Sequence, residues 1–563
     1  MSEARSNRRT AAQLLVAELA AQGVDRVFCV PGESYLTVLD ALYDERRIEV
    51  VTCRHESGAG FMAIADAKLT GRPGVALVSR GPGATNAAIA VHTAQQDAAP
   101  LVLLIGQIDR RDRGRRAFQE VDYAAAFGSM AKYVAEIHDP DLIAETVAQA
   151  FRRATTGAPG PAVIVLPEDM LAEETAATVL GPQPRPVAAA SLAALDEAAE
   201  LLGAAEAPLL IAGPRFAPME ARAVLRAAAE SWGVPVAVSF RQQDLFDNEH
   251  PLYAGHLGYL LPKRRVASYQ ESDLVLAVGT RLGDATTQNY RFPSAPRPKQ
   301  RLIHVYDDPE VLGAVFETDL PIAAEPVAFL VALAERGPGA SRRHTAWAER
   351  LHRQHYADLV IKEPLSAPDG VVFGAVVQAL AARLGSDAVL THDAGLNNSW
   401  LGRCFPFRSS QRLLAAVSGA MGIGVPAGVA AALRLKRRVV TLVGDGGFLM
   451  TGNELATAIE HRLPLTIILA NNGSYGSIRL NQEIDFPGRV IATDLVNPNF
   501  KALAEAFGAK AFRIERPEQI GATLDAALAA NGPSVVEVMT SLERISASTT
   551  LERGPTRLNR TTL

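Results

Sequence analysis

Apolar residues gather in short unbroken runs along the chain, each followed by a stretch in which they recur every three or four positions. Such runs, bounded by turn residues, predict strands buried on both faces, and the 3.6-residue rhythm predicts the helices that cover them. The pattern occurs in three blocks. The first has strand-like runs at 27–30, 50–53, 75–79 and 101–105, after an amphipathic helix over 11–22. Pro182, Pro184 and Pro186 mark a linker. A second block, from about 207 to 324, has runs at 209–212, 234–238, 274–278 and 302–306. A polar stretch around 341–354 leads to a third, with runs at 389–391, 439–443, 467–470 and 535–538. This βα alternation predicts an α/β protein of three doubly wound, mainly parallel sheets, with domains at 1–180, 190–335 and 365–545 and a tail at 546–563. A chain of 563 residues is too long for one core, which agrees with three domains.

Composition narrows the class. Charged residues make up 21% and apolar residues 48%, as in a soluble globular enzyme, and a net charge of −5 gives no reason to expect nucleic acid. The basic run from Arg110 to Arg116 reads as an exposed loop, with guidance of an anionic substrate as the lesser alternative. Cys29, Cys53 and Cys404 have neither metal-ligand spacing nor an even disulfide count, which points to a reducing cytoplasm. Gln13 and Glu18 interrupt the first helix, unlike the apolar core of a secretion signal, and no eighteen-residue apolar run predicts a membrane span.

The strongest chemistry lies in Gly444-Asp445-Gly446-Gly447 and in Asn471-Asn472, twenty-four positions beyond Gly447. Each closes an apolar run, and between them Leu455, Ala456, Ile459 and His461 recur in helical rhythm over 451–462, with Pro464 after. A βαβ crossover would put Asp445 and Asn472 at the carboxyl ends of two parallel strands, where open α/β sheets bind ligands. Magnesium takes hard oxygen ligands and few protein groups beside phosphate, so a carboxylate, the Asn472 amide and a carbonyl just beyond, at Ser474, suit it. The glycines leave backbone N–H groups open to an anionic oxygen.

Here the chain resembles the thiamine-diphosphate enzymes of the acetolactate synthase, pyruvate oxidase and pyruvate decarboxylase superfamily. Arg54-His55-Glu56-Ser57-Gly58-Ala59 resembles the segment with the cofactor-activating glutamate. Ser79-Arg80-Gly81-Pro82-Gly83-Ala84-Thr85-Asn86 resembles the SGPGATN turn with Arg80 inserted. Ala117-Phe118-Gln119-Glu120 resembles AFQE, and Gly419-Ala420-Met421-Gly422-Ile423-Gly424 resembles GAMGFG. The resemblance implies pyrimidine-binding, central and diphosphate-binding domains and the cofactors thiamine diphosphate and Mg2+. It implies a homodimer or homotetramer with active sites between subunits.

It also assigns roles. Glu56 would hold the pyrimidine ring nitrogen, which asks for a largely buried carboxyl group whose pKa desolvation raises. Met421, after Gly419, would brace the cofactor in a bent shape. Gln119 and Glu33 would stand near the reacting carbon, and Glu33, in Pro31-Gly32-Glu33, occupies the place of the aspartate of simple decarboxylases; helix capping is its plainer role. Pro31, Gly32, Pro82, Asn86, Gly395, Leu396, Asn397, Gly419, Gly444, Gly446, Gly447, Tyr475 and Gly476 would line the cofactor, and Asp445, Asn472 and Ser474 the metal. At Leu396-Asn397 the family's usual Gln-His is absent.

The implied reaction makes or breaks a C–C bond beside a carbonyl, with a 2-oxo acid or a 2-hydroxy ketone as substrate. Decarboxylation of a pyruvate-like acid with carboligation is favoured over a lyase reaction on a 2-hydroxy ketone or 2-hydroxyacyl thioester without decarboxylation, and over a flavin-dependent reaction similar to that of the pyruvate oxidases. Two departures bear on the substrate. Ala285 stands where branched-chain acetolactate synthases carry an arginine, and Asn481 where they carry a tryptophan, which argues against that biosynthetic activity unless Arg479 substitutes. Gly255-His256-Leu257-Gly258 and Gly279-Thr280-Arg281 resemble flavin-contacting turns, but their surroundings diverge, so FAD is the less favoured expectation. The final segment, 541–563, with Arg544, Arg553 and Arg557, is expected to be a lid or a disordered tail.

Overall fold

A computed structural model describes residues 8–259, 261–338, 344–361, 366–408 and 410–551. Three six-stranded sheets, each parallel throughout, form the framework. The first runs in the order Glu49–Thr52, Arg26–Cys29, Gly74–Val78, Leu101–Gln107, Pro161–Pro167, Tyr133–Glu136. The second runs Tyr253–His256, Val236–Val238, Pro208–Ala212, Leu274–Val278, Arg301–Tyr306, Leu320–Ala323. The third runs Arg412–Ala415, Val389–His392, Val439–Gly444, Leu465–Asn471, Ser534–Met539, Lys510–Ile514. Every strand expected from the apolar runs is present. Each sheet gains two more, and five of those six lie at sheet edges, where strands are short or carry polar residues. The sixth, Pro161–Pro167, is fully buried but begins and ends in proline.

The order of strands decides where ligands can enter. In each sheet, successive strands are laid down on one side of the first-formed pair and then on the other, and the chain reverses beside Arg26–Cys29, Pro208–Ala212 and Val389–His392. At such a reversal the connections leave in opposite directions and open a crevice at the carboxyl ends of the strands. The crevices lie between Cys29 and Val78, between Ala212 and Val278, and between His392 and Gly444.

Among the described residues the chain divides into two compact units. One, drawn from Met1–Pro186, Ala416–Arg437 and Leu449–Leu463, holds the first sheet. Its core is aliphatic, with Val27, Val75, Leu77, Val102, Leu104 and Ile164 buried. The inserted helix Gly424–Leu435 is tied in by Arg434, whose guanidinium reaches Asp66 at 2.7 Å and Asp25 at 2.7 Å. That hydrogen-bonded ion pair, counter to burial, holds the Asp25 carboxyl well below the usual carboxylate range. The other unit, drawn from Val187–Ala415, Arg438–Phe448 and Pro464–Leu563, holds the second and third sheets.

Two local expectations change. Most of the polar stretch at 341–354 belongs to the helix Thr345–Leu359, which buries Trp347, Leu351 and His355 on one face. The helix expected over 451–462 begins earlier, as Asp445–Thr451, and continues through a short 3-10 turn into Leu455–Glu460. Beyond the third sheet, Asp369 fastens the chain by accepting from Ser541 Oγ at 2.5 Å and from the Leu542 and Glu543 N–H groups at 2.9 Å. Arg553 and Arg557 lie outside the described residues.

Candidate active site

At the crevice of the first sheet, the turns after two parallel strands meet. Ser34 Oγ lies 3.2 Å from Ser79 Oγ, and a Cβ at Gly32 would lie 2.6 Å from the Ser79 Cβ. Gly81 has φ +58°, and a Cβ there would lie 2.8 Å from that of Gln119, itself at φ +66°. Only glycine allows the two turns to touch in this way. The Gly81 N–H donates to Tyr123 Oη at 2.8 Å, and Pro82 opens the helix Pro82–Gln96. One turn further, Asn86 Nδ2 donates to Glu56 Oε2 at 3.0 Å. Glu56 is the first residue of the helix Glu56–Thr70, whose cap, His55, accepts from the Ser57 N–H at 3.1 Å. Gly32, Gln119, Gly81, Pro82, Asn86 and Glu56 are therefore brought to one end of one sheet.

Three details differ from expectation. Glu56, expected to be largely buried, is half-buried in the single chain. Glu33 is exposed at the head of the short helix Glu33–Tyr35, where Gly32 takes the cap position, and Pro31 beside it is exposed. The basic run is only partly an open loop. Arg111, Arg115 and Arg116 are exposed, but Arg110 pairs with Asp169 at 2.8 Å and Arg113 with Glu136 at 2.9 Å. Glu120 closes this loop by accepting from the Gly114 N–H at 2.7 Å and the Ala117 N–H at 3.2 Å, and these bonds lower its pKa.

Two carboxylates in this unit went unnoticed in the sequence. Glu454 is fully buried and accepts from the Arg54 and His55 N–H groups at 2.9 and 3.0 Å, directly before Glu56. Its second oxygen accepts from Thr457 Oγ1 at 2.7 Å, and burial pushes the carboxyl pKa up. Asp97, paired with Lys68, accepts from the Val417 and Ser418 N–H groups at 2.8 and 3.2 Å and so holds the turn that leads to Gly419 and Met421. Met421 is half-buried there. Asn86 lies one turn into the helix Pro82–Gln96 and Asp97 caps its far end, about 16 Å further along at 1.5 Å per residue.

The crevice of the third sheet has a different chemistry. Asp445, 3% exposed, heads its helix directly after the strand Val439–Gly444. Its Oδ1 accepts from the Gly446 N–H at 2.9 Å, and its Oδ2 from the Gly473 N–H at 2.9 Å and from Asn497 Nδ2 at 2.8 Å. Burial pushes the Asp445 carboxyl pKa up, against the pull of these hydrogen bonds. Across the crevice a Cβ at Gly447 would lie 2.9 Å from the Asp393 carboxylate, which is fully buried, so only glycine allows that approach. Gly395 and Leu396 lead into the helix Asn397–Cys404, with Gly444 beside Asn397.

The Asn471-Asn472 turn completes this half. Asn472 Oδ1 accepts from the Ser474 N–H at 3.1 Å, Ser474 is buried, and Tyr475 donates its N–H to the Thr493 carbonyl at 2.8 Å. Gly476 opens the helix Gly476–Asp485, where Arg479 pairs with Asp494 at 2.5 Å. Asp393, Asn497 and Glu537 were missed in the sequence, because no local motif marks them.

The three domain descriptions of one enzyme family match in order. They are the "Thiamine pyrophosphate enzyme" N-terminal TPP binding domain over residues 9–126, its central domain over 195–333 and its C-terminal TPP binding domain over 393–538. A probable acetolactate synthase large subunit of Methanocaldococcus jannaschii is 31% identical over 94% of this chain and 91% of its own length. The acetolactate synthase isozyme 2 large subunit of Escherichia coli K12 is 31% identical over 94% of this chain and 95% of its own length. The acetolactate synthase large subunit of Corynebacterium glutamicum is 31% identical over 95% and 87%. With three parallel sheets, three matching domains and these relatives along almost its whole length, the chain belongs to the thiamine-diphosphate-dependent enzymes and is acetolactate synthase large-subunit-like.

Proposed function

We propose that the enzyme decarboxylates a 2-oxo acid such as pyruvate and joins the remaining carbon unit to an aldehyde or oxo acid. The observation that carries this reading is Glu56 at the mouth of the first crevice, held by Asn86 through one oxygen and open at the other. A carboxyl group left in that state can accept or return a proton at a pyrimidine nitrogen. Bound thiamine diphosphate would supply the electron sink for cleavage beside a carbonyl. Gln119 and Glu33 would face the substrate, and Met421 would brace the cofactor.

The third crevice fits the diphosphate and its metal. Asp445, Asn472 and the Ser474 carbonyl would supply hard oxygen ligands of the kind Mg2+ takes. Asn397 has a buried carbonyl oxygen without a protein partner, and its amide can turn the NH2 group toward an anionic oxygen. The family resemblance supports a homodimer or homotetramer in which one subunit supplies Glu56 and another Met421 and Asp445. Buried free Cys29, Cys53 and Cys404 support a cytoplasmic enzyme. No helix among the described residues is long and apolar enough to cross a membrane.

A second reading, a lyase acting on a 2-hydroxy ketone or a 2-hydroxyacyl thioester, is favoured by Ala285 and Asn481. Ala285 is buried and offers no charge to an acceptor carboxylate, Asn481 is exposed, and Arg479 is engaged by Asp494. FAD remains the lesser expectation. In the central domain a Cβ at Gly279, beside the crevice, would lie 2.8 Å from that of Arg215, and one at Gly255, in the edge strand, would lie 2.9 Å from Tyr269 Oη, so the domain's own side chains line both segments.

A proton NMR time course with thiamine diphosphate, Mg2+ and pyruvate, with and without benzaldehyde, tests the choice. Acetolactate or a mixed acyloin is expected. Unchanged pyruvate, with cleavage of a hydroxy ketone or hydroxyacyl thioester, would establish the lyase instead.

A further inference from the structure

Asp445 is the end of a chain of side-chain hydrogen bonds that leads to the buried Glu537. Asn497 Nδ2 donates to Asp445 Oδ2 at 2.8 Å and to Asn471 Oδ1 at 2.9 Å. Asn471 Nδ2 in turn donates to Glu537 Oε1 at 2.8 Å, and Glu537 is 1% exposed. The two carboxylates fix the direction of both amides between them. A carboxylate only accepts, so Glu537 draws the Asn471 NH2 group to itself, which turns Asn471 Oδ1 toward Asn497. Asn497 must then present its NH2 group to Asn471 and Asp445 together. Its two hydrogens serve two acceptors, and no other neutral side chain of that size offers this pair.

The consequence falls on the carboxylate. Oδ2 of Asp445 is taken by two donors, Gly473 N–H and Asn497, whereas Oδ1 receives the Gly446 N–H. Oδ1 is thus the freer oxygen for a cation. Asn497 Oδ1 is buried without a protein partner, an acceptor of the kind a metal-bound water can satisfy.

We infer that Asn497 is a positioning residue for the metal: with Asn471 and Glu537 behind it, it holds Asp445 so that one chosen carboxylate oxygen meets Mg2+. This rests on the proposed Asp445–Asn472 metal site. Partners of metal ligands outside the coordination sphere typically change affinity about 10–100-fold when removed. Asn471, the first residue of the pair, then serves as a link in this chain, and Asn472 as the ligand.

Binding of Mn2+ to the full-length protein, freed of metal and saturated with thiamine diphosphate, tests this through loss of the free-ion electron paramagnetic resonance signal. Asn497→Ala is expected to weaken Mn2+ binding about 10–100-fold, and raising Mg2+ is expected to recover most of its turnover. Asn497→Ser, with one hydrogen for two acceptors, should fall between the two and carries the comparison if the alanine variant does not fold. Wild-type affinity in either folded variant overturns the inference, as does a loss of turnover that excess Mg2+ leaves untouched. Absence of Mn2+ binding by the wild-type protein would instead remove the proposed metal site itself, and the role of Asn497 with it.

Discussion

The crevices of the first and third sheets are built on the same strand order and treat their central carboxylates in opposite ways. Glu56 is half-buried and receives one side-chain hydrogen bond, from Asn86. Asp445 is buried and receives three, from Gly446, Gly473 and Asn497. A group that must exchange a proton works best with capacity to spare, whereas a metal ligand gains from being held in one orientation before the cation arrives. Topology therefore supplies two equivalent places for chemistry, and the number of donors around each carboxylate agrees with the roles proposed for them, proton exchange at Glu56 and metal binding at Asp445.

Substitutions can break that contrast. The largest effect is expected from Glu56→Gln, which keeps the shape and removes the proton-accepting group. Turnover should fall about 10²–10⁴-fold while the melting temperature and cofactor binding stay close to wild type, as followed by NMR product rates and calorimetry. Loss of binding in place of loss of rate would assign Glu56 to structure. Asp445→Asn should instead act on binding, weakening Mg2+ by more than the roughly 10–100-fold typical of an outer partner, as read by isothermal titration.

A smaller effect is expected from Glu454→Gln, since an amide offers one acceptor oxygen where the carboxylate has two. The cost is about 1–3 kcal/mol, measured by denaturant unfolding. It should depend on pH in a defined direction. Burial raises the Glu454 pKa in the folded protein above its ordinary 4.5, so the folded state holds the proton more tightly than the unfolded chain. Its contribution to stability is full below the ordinary carboxylate range and declines as pH rises through the raised value. The advantage of wild type over Glu454→Gln should therefore shrink as pH rises, and a growing advantage would show the opposite linkage. The smallest change is expected from Asp97→Asn, which keeps an acceptor for the Val417 and Ser418 N–H groups and loses the ion pair with Lys68. About 1 kcal/mol is expected from the denaturation midpoint.

Much of this was legible because it is local. An apolar run such as Leu274–Val278 declares a buried strand without reference to the rest of the chain. Gly81, Gly395 and Gly447 mark turns that require a positive φ or leave no room for a side chain, and those turns carry the resemblance. The edge strand Leu320–Ala323 was not legible, because its residues alternate between buried and exposed over only four positions. Nor was Lys510–Ile514, whose charged residues read as surface. Glu454 was missed for a related reason: its partners Arg54 and His55 lie 400 and 399 residues away, and no spacing rule reaches that far.

The sequence alone determined the class of sheet, the strands of its interior and the glycine-rich turns, since periodicity and backbone sterics act over a few residues. Tertiary structure alone decided which groups surround each carboxylate. Asn497 meets Asp445 across 52 residues, Asp97 meets Val417 across 320, and Glu537 meets Asn471 across 66. Burial makes each unpaired donor or acceptor costly, so these partners are required by the folded environment and leave no pattern along the chain.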